Sequence, residues 1–211
     1  MAENALWSWM GLVLLGAFHG INPGMGWLFA VALGMQERRR SAVWRALAPL
    51  TLGHALAIGA VVLVAVLLGV AVPAASLKLP VAATLSAFGI FRLIRHRHPT
   101  GGGMRVGIGG LTAWSFLMAT CHGAGFMVLP IFLGMTAVAH GAGCHGSASG
   151  DAMAGVTATL AHGAGYLIVT ALAAGVVFEK LGLRLLRTAW FNLDLIWAAA
   201  LIATGALTIA L

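Results

Sequence analysis

Six long apolar stretches, each able to cross a lipid bilayer as one helix, take up nearly the whole chain. A spanning helix needs about 20 predominantly apolar residues. The stretches lie near residues 7–35, 46–70, 79–95, 108–135, 155–178 and 191–211. The composition agrees, because 61% of the 211 residues are hydrophobic and 8% are charged, whereas soluble domains are about 45–50% apolar. We therefore predict an all-α integral membrane protein with six transmembrane helices, in which residues 1–211 form a single transmembrane domain.

The basic residues are concentrated in the connections on one side of the predicted helices. All twelve Lys and Arg residues except Lys78 lie in or flank the connections between helices one and two, three and four, or five and six. The positive-inside rule makes this side cytoplasmic, so we expect both termini outside a bacterial-type cytoplasmic membrane. The net charge of +7 then reflects topology and contact with anionic lipids of the bilayer, and a nucleic-acid partner is not expected.

Short sequence elements of the first half of the chain recur in the second half. TLGHALAIG in the second helix matches TLAHGAGYL in the fifth, which aligns His54 with His162. GAFHG in the first helix matches ATCHG in the fourth, which aligns His19 with His122. The chain is therefore predicted to consist of two copies of one three-helix unit.

The odd number of helices in each unit determines how the two copies lie in the membrane. The repeats cover about residues 7–97 and 107–211. Because a three-helix unit ends on the side opposite to its start, the second copy must enter the membrane inverted. Inverted repeats place a substrate near the bilayer midplane, at the repeat interface and at broken helices.

Prolines are expected to break the first and fourth helices beside the histidines. In AFHGINPGMGW, Pro23 has no N–H and would leave the carbonyl of His19, four residues earlier, without its helical donor. In CHGAGFMVLP, Pro130 would do the same to the carbonyl of Phe126. Pro23 is accordingly a candidate residue of the substrate path.

Glycines surround the first break and favour close helix contact. Gly16, Gly20 and Gly24 recur every fourth residue. Small residues at this spacing let another helix backbone approach closely. We expect them to turn the polar groups of the first helix away from lipid.

Four histidines, His19, His54, His122 and His162, are predicted at equivalent depths of helices one, two, four and five. An ionisable residue inside a bilayer is energetically costly and is therefore a candidate functional residue. The alternative is that each neutral ring donates one hydrogen bond to a neighbouring carbonyl and joins helices. The symmetric placement favours a shared ligand site.

The side chains near the histidines favour a late transition-metal ion, of the Ni, Co, Cu or Zn class, as substrate or cofactor. Neutral imidazole binds these metals, and thiol or thioether sulfur favours the softer ones. Cys121, Met25 and Asn22 are further candidate ligands, and Met127 is a candidate residue of the substrate path. For each methionine the alternative is apolar packing. No carboxylate lies near these residues in the sequence, which disfavours Mg²⁺ and Ca²⁺.

The inverted three-helix units with HGINPGMG in the first helix and CHGAG in the fourth resemble the LysE-type transporter superfamily, in particular its nickel/cobalt exporter-like branch. That branch has a first-helix motif of the form His-x-x-x-Pro-Gly-His, which His19, Pro23 and Gly24 match. The resemblance implies a six-helix secondary transporter with these residues at the substrate site. Met25 stands at the position of the second histidine, which favours a softer ion than nickel or cobalt.

Two classes of function fit these observations. The first is a metal-ion transporter that works by alternating access, with one repeat rocking against the other, and it is not an enzyme. The second is an intramembrane redox protein whose paired histidines ligate b-type haem or a metal. No GxxxxGK[ST] motif is present, so transport would draw on an ion gradient or an accessory subunit. A homo-oligomer stays possible.

Overall fold

The computed structural model describes residues 2–69, 74–94, 107–141, 148–181 and 193–210, and every regular element among them is helical. The helices are α1 (Ala2–Ile21), α2 (Trp27–Glu37), α3 (Arg40–Gly69), α4 (Ala74–Ile94), α5 (Ile108–Cys121), α6 (Ala124–Gly141), α7 (Ala148–Val176) and α8 (Leu193–Ala210). A 3₁₀ turn, Pro23–Met25, joins α1 to α2, and a π-helical turn, Val177–Leu181, extends α7. The all-α fold predicted from the sequence is confirmed for these residues.

Several of these helices are apolar enough to lie in a membrane. Within the described ranges, Arg40–Leu68 and Gly150–Lys180 are each long and apolar enough to cross a bilayer. The bent pair α5–α6 passes the same test only when its two helices are taken together, as a broken span or a re-entrant loop. The other apolar helical segments, Leu6–Ile21, Leu79–Phe91 and Ala198–Ile209, are shorter. The outer surface carries many exposed leucines, isoleucines and valines, which a soluble protein of this size rarely presents.

The first predicted helix is broken where the sequence places Pro23. Asn22 caps the 3₁₀ turn, and its Oδ1 accepts a hydrogen bond from the Gly24 N–H at 2.9 Å. Gly26 then has φ +144°, a conformation that side chains disfavour. The expectation that the His19 carbonyl lacks a donor is wrong. The backbone after α1 turns more tightly than an α-helix, and the Asn22 N–H donates to that carbonyl at 3.3 Å.

The fourth predicted helix is broken at a different residue from the one the sequence suggested. Pro130 lies inside α6. The break falls at His122 and Gly123, where α5 and α6 meet at an angle of 64°. Gly123 has φ +70°, a left-handed conformation that glycine adopts without steric cost. The turn therefore depends on glycine and not on proline.

Glycines bring the helices into backbone contact. A Cβ atom on Gly16 would overlap the His162 carbonyl of α7, and one on Gly165 of α7 would overlap the Val13 carbonyl of α1. Gly20 also faces α7, whereas Gly24 lies in the 3₁₀ turn, outside the helical face that the sequence spacing suggested.

The main helix pairs are α1 with α7, α3 with α5, α4 with α8, and α3 with α7. In the α3–α5 pair, a Cβ atom on Gly53 would overlap the Thr112 carbonyl. The Ser115 hydroxyl of α5 also donates to the Leu50 carbonyl of α3 at 2.6 Å. Close helix contacts therefore run between the two halves of the chain.

Candidate functional site

Three of the four predicted histidines meet in the protein interior. His19 lies on α1, His54 on α3 and His162 on α7, and each side chain is fully buried. Their ring centroids form a near-equilateral triangle, with separations of 5.0 Å for His19–His162, 5.4 Å for His54–His162 and 5.5 Å for His19–His54. Residues from both halves of the chain thus build one cluster, which we call the histidine cluster.

His19 is oriented by its own helix. It stands in the last turn of α1, and its Nδ1 lies 2.7 Å from the Leu15 carbonyl oxygen one turn earlier. A carbonyl only accepts hydrogen bonds, so Nδ1 carries the proton and Nε2 carries the lone pair. Histidines that ligate metals are commonly held in this way, with one ring nitrogen donating to a backbone carbonyl.

His54 and His162 contact each other directly across the interface between the two halves. Their Nε2 atoms are 3.2 Å apart, and their ring planes differ by 11°. If both rings are neutral, one Nε2 donates and the other accepts. The Nδ1 atom of His54 is buried without a hydrogen-bond partner. This nitrogen therefore has no hydrogen-bond partner in either tautomer of the ring.

Tyr166 links the histidine cluster to the first helix break. Its ring stacks on His54 with centroids 4.0 Å apart and planes within 7°. Its hydroxyl donates to the Met25 carbonyl at 2.6 Å, across 141 positions of the chain. The same side chain thus contacts an imidazole of the cluster and fixes the 3₁₀ turn of the other half. The sequence reading missed Tyr166, although the only tyrosine in the chain stands one helical turn after His162.

His122 occupies the second break as His19 occupies the first. It follows the last residue of α5, is buried, and places its Nδ1 2.7 Å from the Met118 carbonyl four residues earlier. The two halves therefore repeat this side-chain arrangement as well as the histidine itself. Ring contacts join His19, His54 and His162, and His122, at the second break, interacts electrostatically with His19.

The remaining candidate residues have varied environments. Met25 and Met127 are buried in one cluster with Tyr166, while Cys121 has an unbridged, half-buried thiol at the end of α5. Asn22 folds back to cap the 3₁₀ turn, so its side-chain oxygen is engaged with the backbone. Pro23 is the first residue of that turn.

The arrangement of side chains does not by itself form a metal site. Among the residues that the structure describes, no group of three or more His, Cys, Asp or Glu side chains is placed to hold a metal ion. The Nε2 atoms of His54 and His162, 3.2 Å apart, are engaged with each other. Comparisons with protein-family models, with curated proteins and with solved structures find no match for this chain.

Replacing Tyr166 with phenylalanine should lower the free energy of unfolding by about 1–2 kcal/mol. The stacked ring would remain, but the buried Met25 carbonyl would lose its donor, and such a loss typically costs about 1–3 kcal/mol. Thermal unfolding of the purified protein in detergent measures the change. Equal stability of the variant and the wild type would mean that the hydroxyl does not hold the turn.

Proposed function

We propose that the protein is a membrane transporter that moves a late transition-metal cation through the histidine cluster by alternating access. The observation that carries the proposal is the burial of His19, His54 and His162 against one another beside a broken helix. Buried ionisable residues inside an apolar helical bundle are typical of ion and substrate pathways. Neutral imidazoles without a carboxylate favour a transition metal over a harder ion.

The distances between the three imidazole rings of the histidine cluster support a shared cation. Two nitrogen atoms bound to one metal at 2.0–2.1 Å in tetrahedral geometry are about 3.3–3.4 Å apart, and the ring centroids are then about 5 Å apart. The Nε2 atoms of His54 and His162 are 3.2 Å apart, and the centroids of all three rings are 5.0–5.5 Å apart. Loading a cation would require the ring that donates in the His54–His162 hydrogen bond to move its proton from Nε2 to its own Nδ1. The Nδ1 atoms of both rings are buried without a hydrogen-bond partner.

The pairing of helices supports six spans arranged as inverted repeats. If α1–α2, α3 and α4 form one unit and α5–α6, α7 and α8 the other, exchanging the units converts the α1–α7 contact into the α5–α3 contact. The same exchange converts the α4–α8 contact into itself. Both units begin with a helix broken just after a histidine whose ring donates to the carbonyl four residues earlier. We propose membership of the LysE-type superfamily on this architecture and on the HGINPGMG motif.

We do not propose haem as the ligand. A macrocycle between His54 and His162 would have to separate two rings whose nitrogen atoms are 3.2 Å apart. The ring of Tyr166 already lies 4.0 Å from His54, and that of His19 lies 5.0 Å from His162. Haem bound by these residues would give a Soret band in the spectrum of the purified protein, which would contradict the transport proposal.

Transport itself can be measured in proteoliposomes. We expect the reconstituted protein to move one or more of Cu⁺, Zn²⁺, Co²⁺ and Ni²⁺ faster than empty liposomes do, as read by an enclosed metal-sensitive dye. Mg²⁺ should not move, because the cluster offers nitrogen and no carboxylate oxygen. Absence of both binding and flux for all four transition metals would rule the proposal out.

Charge distribution supports a cytoplasmic location for one end of the bundle. Arg40, at the start of α3, pairs with Glu179 of the π-helical turn at 2.9 Å. The basic connection before α3 and the basic segment after α7 therefore lie at the same end of the helical bundle. Positively charged segments are retained in the cytoplasm. We propose that this end faces the cytoplasm and that both termini lie outside.

Cysteine labelling tests this orientation. Cysteines introduced at Arg39 or Lys180 should be protected from an impermeant thiol reagent added to intact cells, whereas a cysteine at Ser76, at the start of α4, should react. All three positions are exposed, and Cys144→Ser removes the native thiol of the loop expected outside. Strong labelling at Arg39 with protection at Ser76 would reverse the orientation.

A further inference from the structure

Three methionines belong to one buried apolar cluster beside the histidine cluster. Met25 lies in the 3₁₀ turn of the first break, Met118 one turn before the second break and Met127 just after it. They belong to one buried cluster, with exposed fractions of 1%, 5% and 1%. Every fully buried methionine among the described residues therefore lies in this group, which we call the methionine group.

The methionine group is continuous with the histidine cluster. Tyr166 packs within the same buried cluster as the three methionines and stacks on the ring of His54. A Cβ atom placed on Gly24 would lie 3.4 Å from the terminal methyl of Met118, so this side chain reaches across from α5 to the first break. Thioether and imidazole side chains thus occupy one region, with a helix break on each side of it.

The charges around this region favour a cation of low charge. Of the acidic side chains that the structure describes, Glu37 and Glu179 are exposed and paired with arginines, and Asp151 lies in the first turn of α7. None of these carboxylates belongs to the buried clusters. The Born cost of taking an ion out of water rises with the square of its charge, so a dication costs about four times as much as a monocation of equal size.

We propose that the cargo is a soft monovalent cation of the Cu⁺ and Ag⁺ type, held by the thioethers of Met25, Met118 and Met127 beside the imidazoles. This inference rests on the proposed function and narrows it. Thioether sulfur selects Cu⁺ over borderline dications such as Zn²⁺ and Ni²⁺. Three neutral sulfur ligands bind without adding charge and without releasing protons, which suits a region where none of the described carboxylates lies.

Silver binding tests the inference, because Ag⁺ has the ligand preferences of Cu⁺ and needs no reductant. Every protein in this experiment carries the substitutions Cys121→Ser and Cys144→Ser, so that thiols do not capture the metal. Titration calorimetry in chloride-free buffer gives the affinity for Ag⁺ and, separately, for Zn²⁺. We expect tighter binding of Ag⁺ than of Zn²⁺, a loss of at least tenfold in Ag⁺ affinity for Met118→Leu, and a larger loss for Met25→Leu/Met118→Leu.

The controls separate this inference from the proposed function. Leucine conserves volume and apolarity, so the variants should fold, and thermal unfolding checks that they do. Met153→Leu, at a position that is 65% exposed on α7, should leave Ag⁺ binding unchanged. Unchanged Ag⁺ affinity in the buried variants, or tighter binding of Zn²⁺ than of Ag⁺, overturns the methionine assignment while transport of a metal cation stands. If neither Ag⁺ nor Zn²⁺ binds, the methionine assignment is overturned, and the proteoliposome fluxes of the four transition metals decide the proposed function separately.

Discussion

Replacing His54 or His162 with alanine will weaken binding of the transition-metal cation, raising its Kd by at least about 100-fold. Each substitution would remove one nitrogen of a pair whose atoms are 3.2 Å apart and would leave His19 with one remaining ring. Replacing residues that merely support a metal ligand costs about 10–100-fold, so loss of a ligand should cost more. Titration calorimetry with the purified protein measures the change.

The pattern among the variants distinguishes a ligand site from structural hydrogen bonding. Members of one site are strongly non-additive, so the His54→Ala/His162→Ala double variant should bind little worse than either single variant. His19→Ala should also be severe, and His122→Ala tests whether the fourth histidine belongs to the site. His145→Ala, in the connection after α6 and outside the described residues, should be mild. Wild-type binding in every one of these variants would mean that the histidines only join helices.

Gly165→Ala will destabilise the protein by at least about 2 kcal/mol, whereas Gly163→Ala will leave its stability nearly unchanged. The two glycines are two residues apart on α7. A methyl group on Gly165 would overlap the Val13 carbonyl of α1, while one on Gly163 would meet no atom within 4 Å. Overpacking typically costs 1–3 kcal/mol, and here the obstacle is backbone, which cannot rotate away.

Unfolding of the two variants by heat in the same detergent provides the comparison. Alanine has the higher helix propensity, so Gly163→Ala could even gain stability by up to about 1 kcal/mol. Equal melting temperatures for the two variants would contradict the close contact between α1 and α7. That result would also remove the basis for placing His162 against His19.

The three histidines that meet were accessible from the sequence because ionisable residues are rare in apolar helices, and a repeat aligned two of them. His54 and His162 occur in matching elements of the two halves, and that match predicted their proximity. The break at Asn22–Gly26 was accessible for a similar reason, since proline beside asparagine and glycine is a local signal for a turn.

Other features depend on contacts that no local pattern reveals. The break at Gly123 requires only that this glycine adopt a left-handed conformation. Nothing in the surrounding sequence distinguishes Gly123 from the many glycines that stay helical. The bond from Tyr166 to Met25 joins residues 141 positions apart. Asn22 could equally have pointed at a ligand or at its own backbone, and only the three-dimensional structure shows its oxygen on the Gly24 N–H.

Glycine contacts also determine which parts of the molecule can move as rigid bodies. Gly16 and Gly165 hold α1 against α7, and Gly53 holds α3 against α5. Backbone contacts of this kind leave no side chain between the helices that could slide or change rotamer. We therefore expect α1 to move with α7 and α3 with α5, each pair drawn from both halves of the chain, in place of the rocking of one repeat against the other that the sequence suggested. His54 lies on one of these helix pairs and His162 on the other, so in the transport proposed above the 3.2 Å contact between them would span the boundary at which the pairs separate.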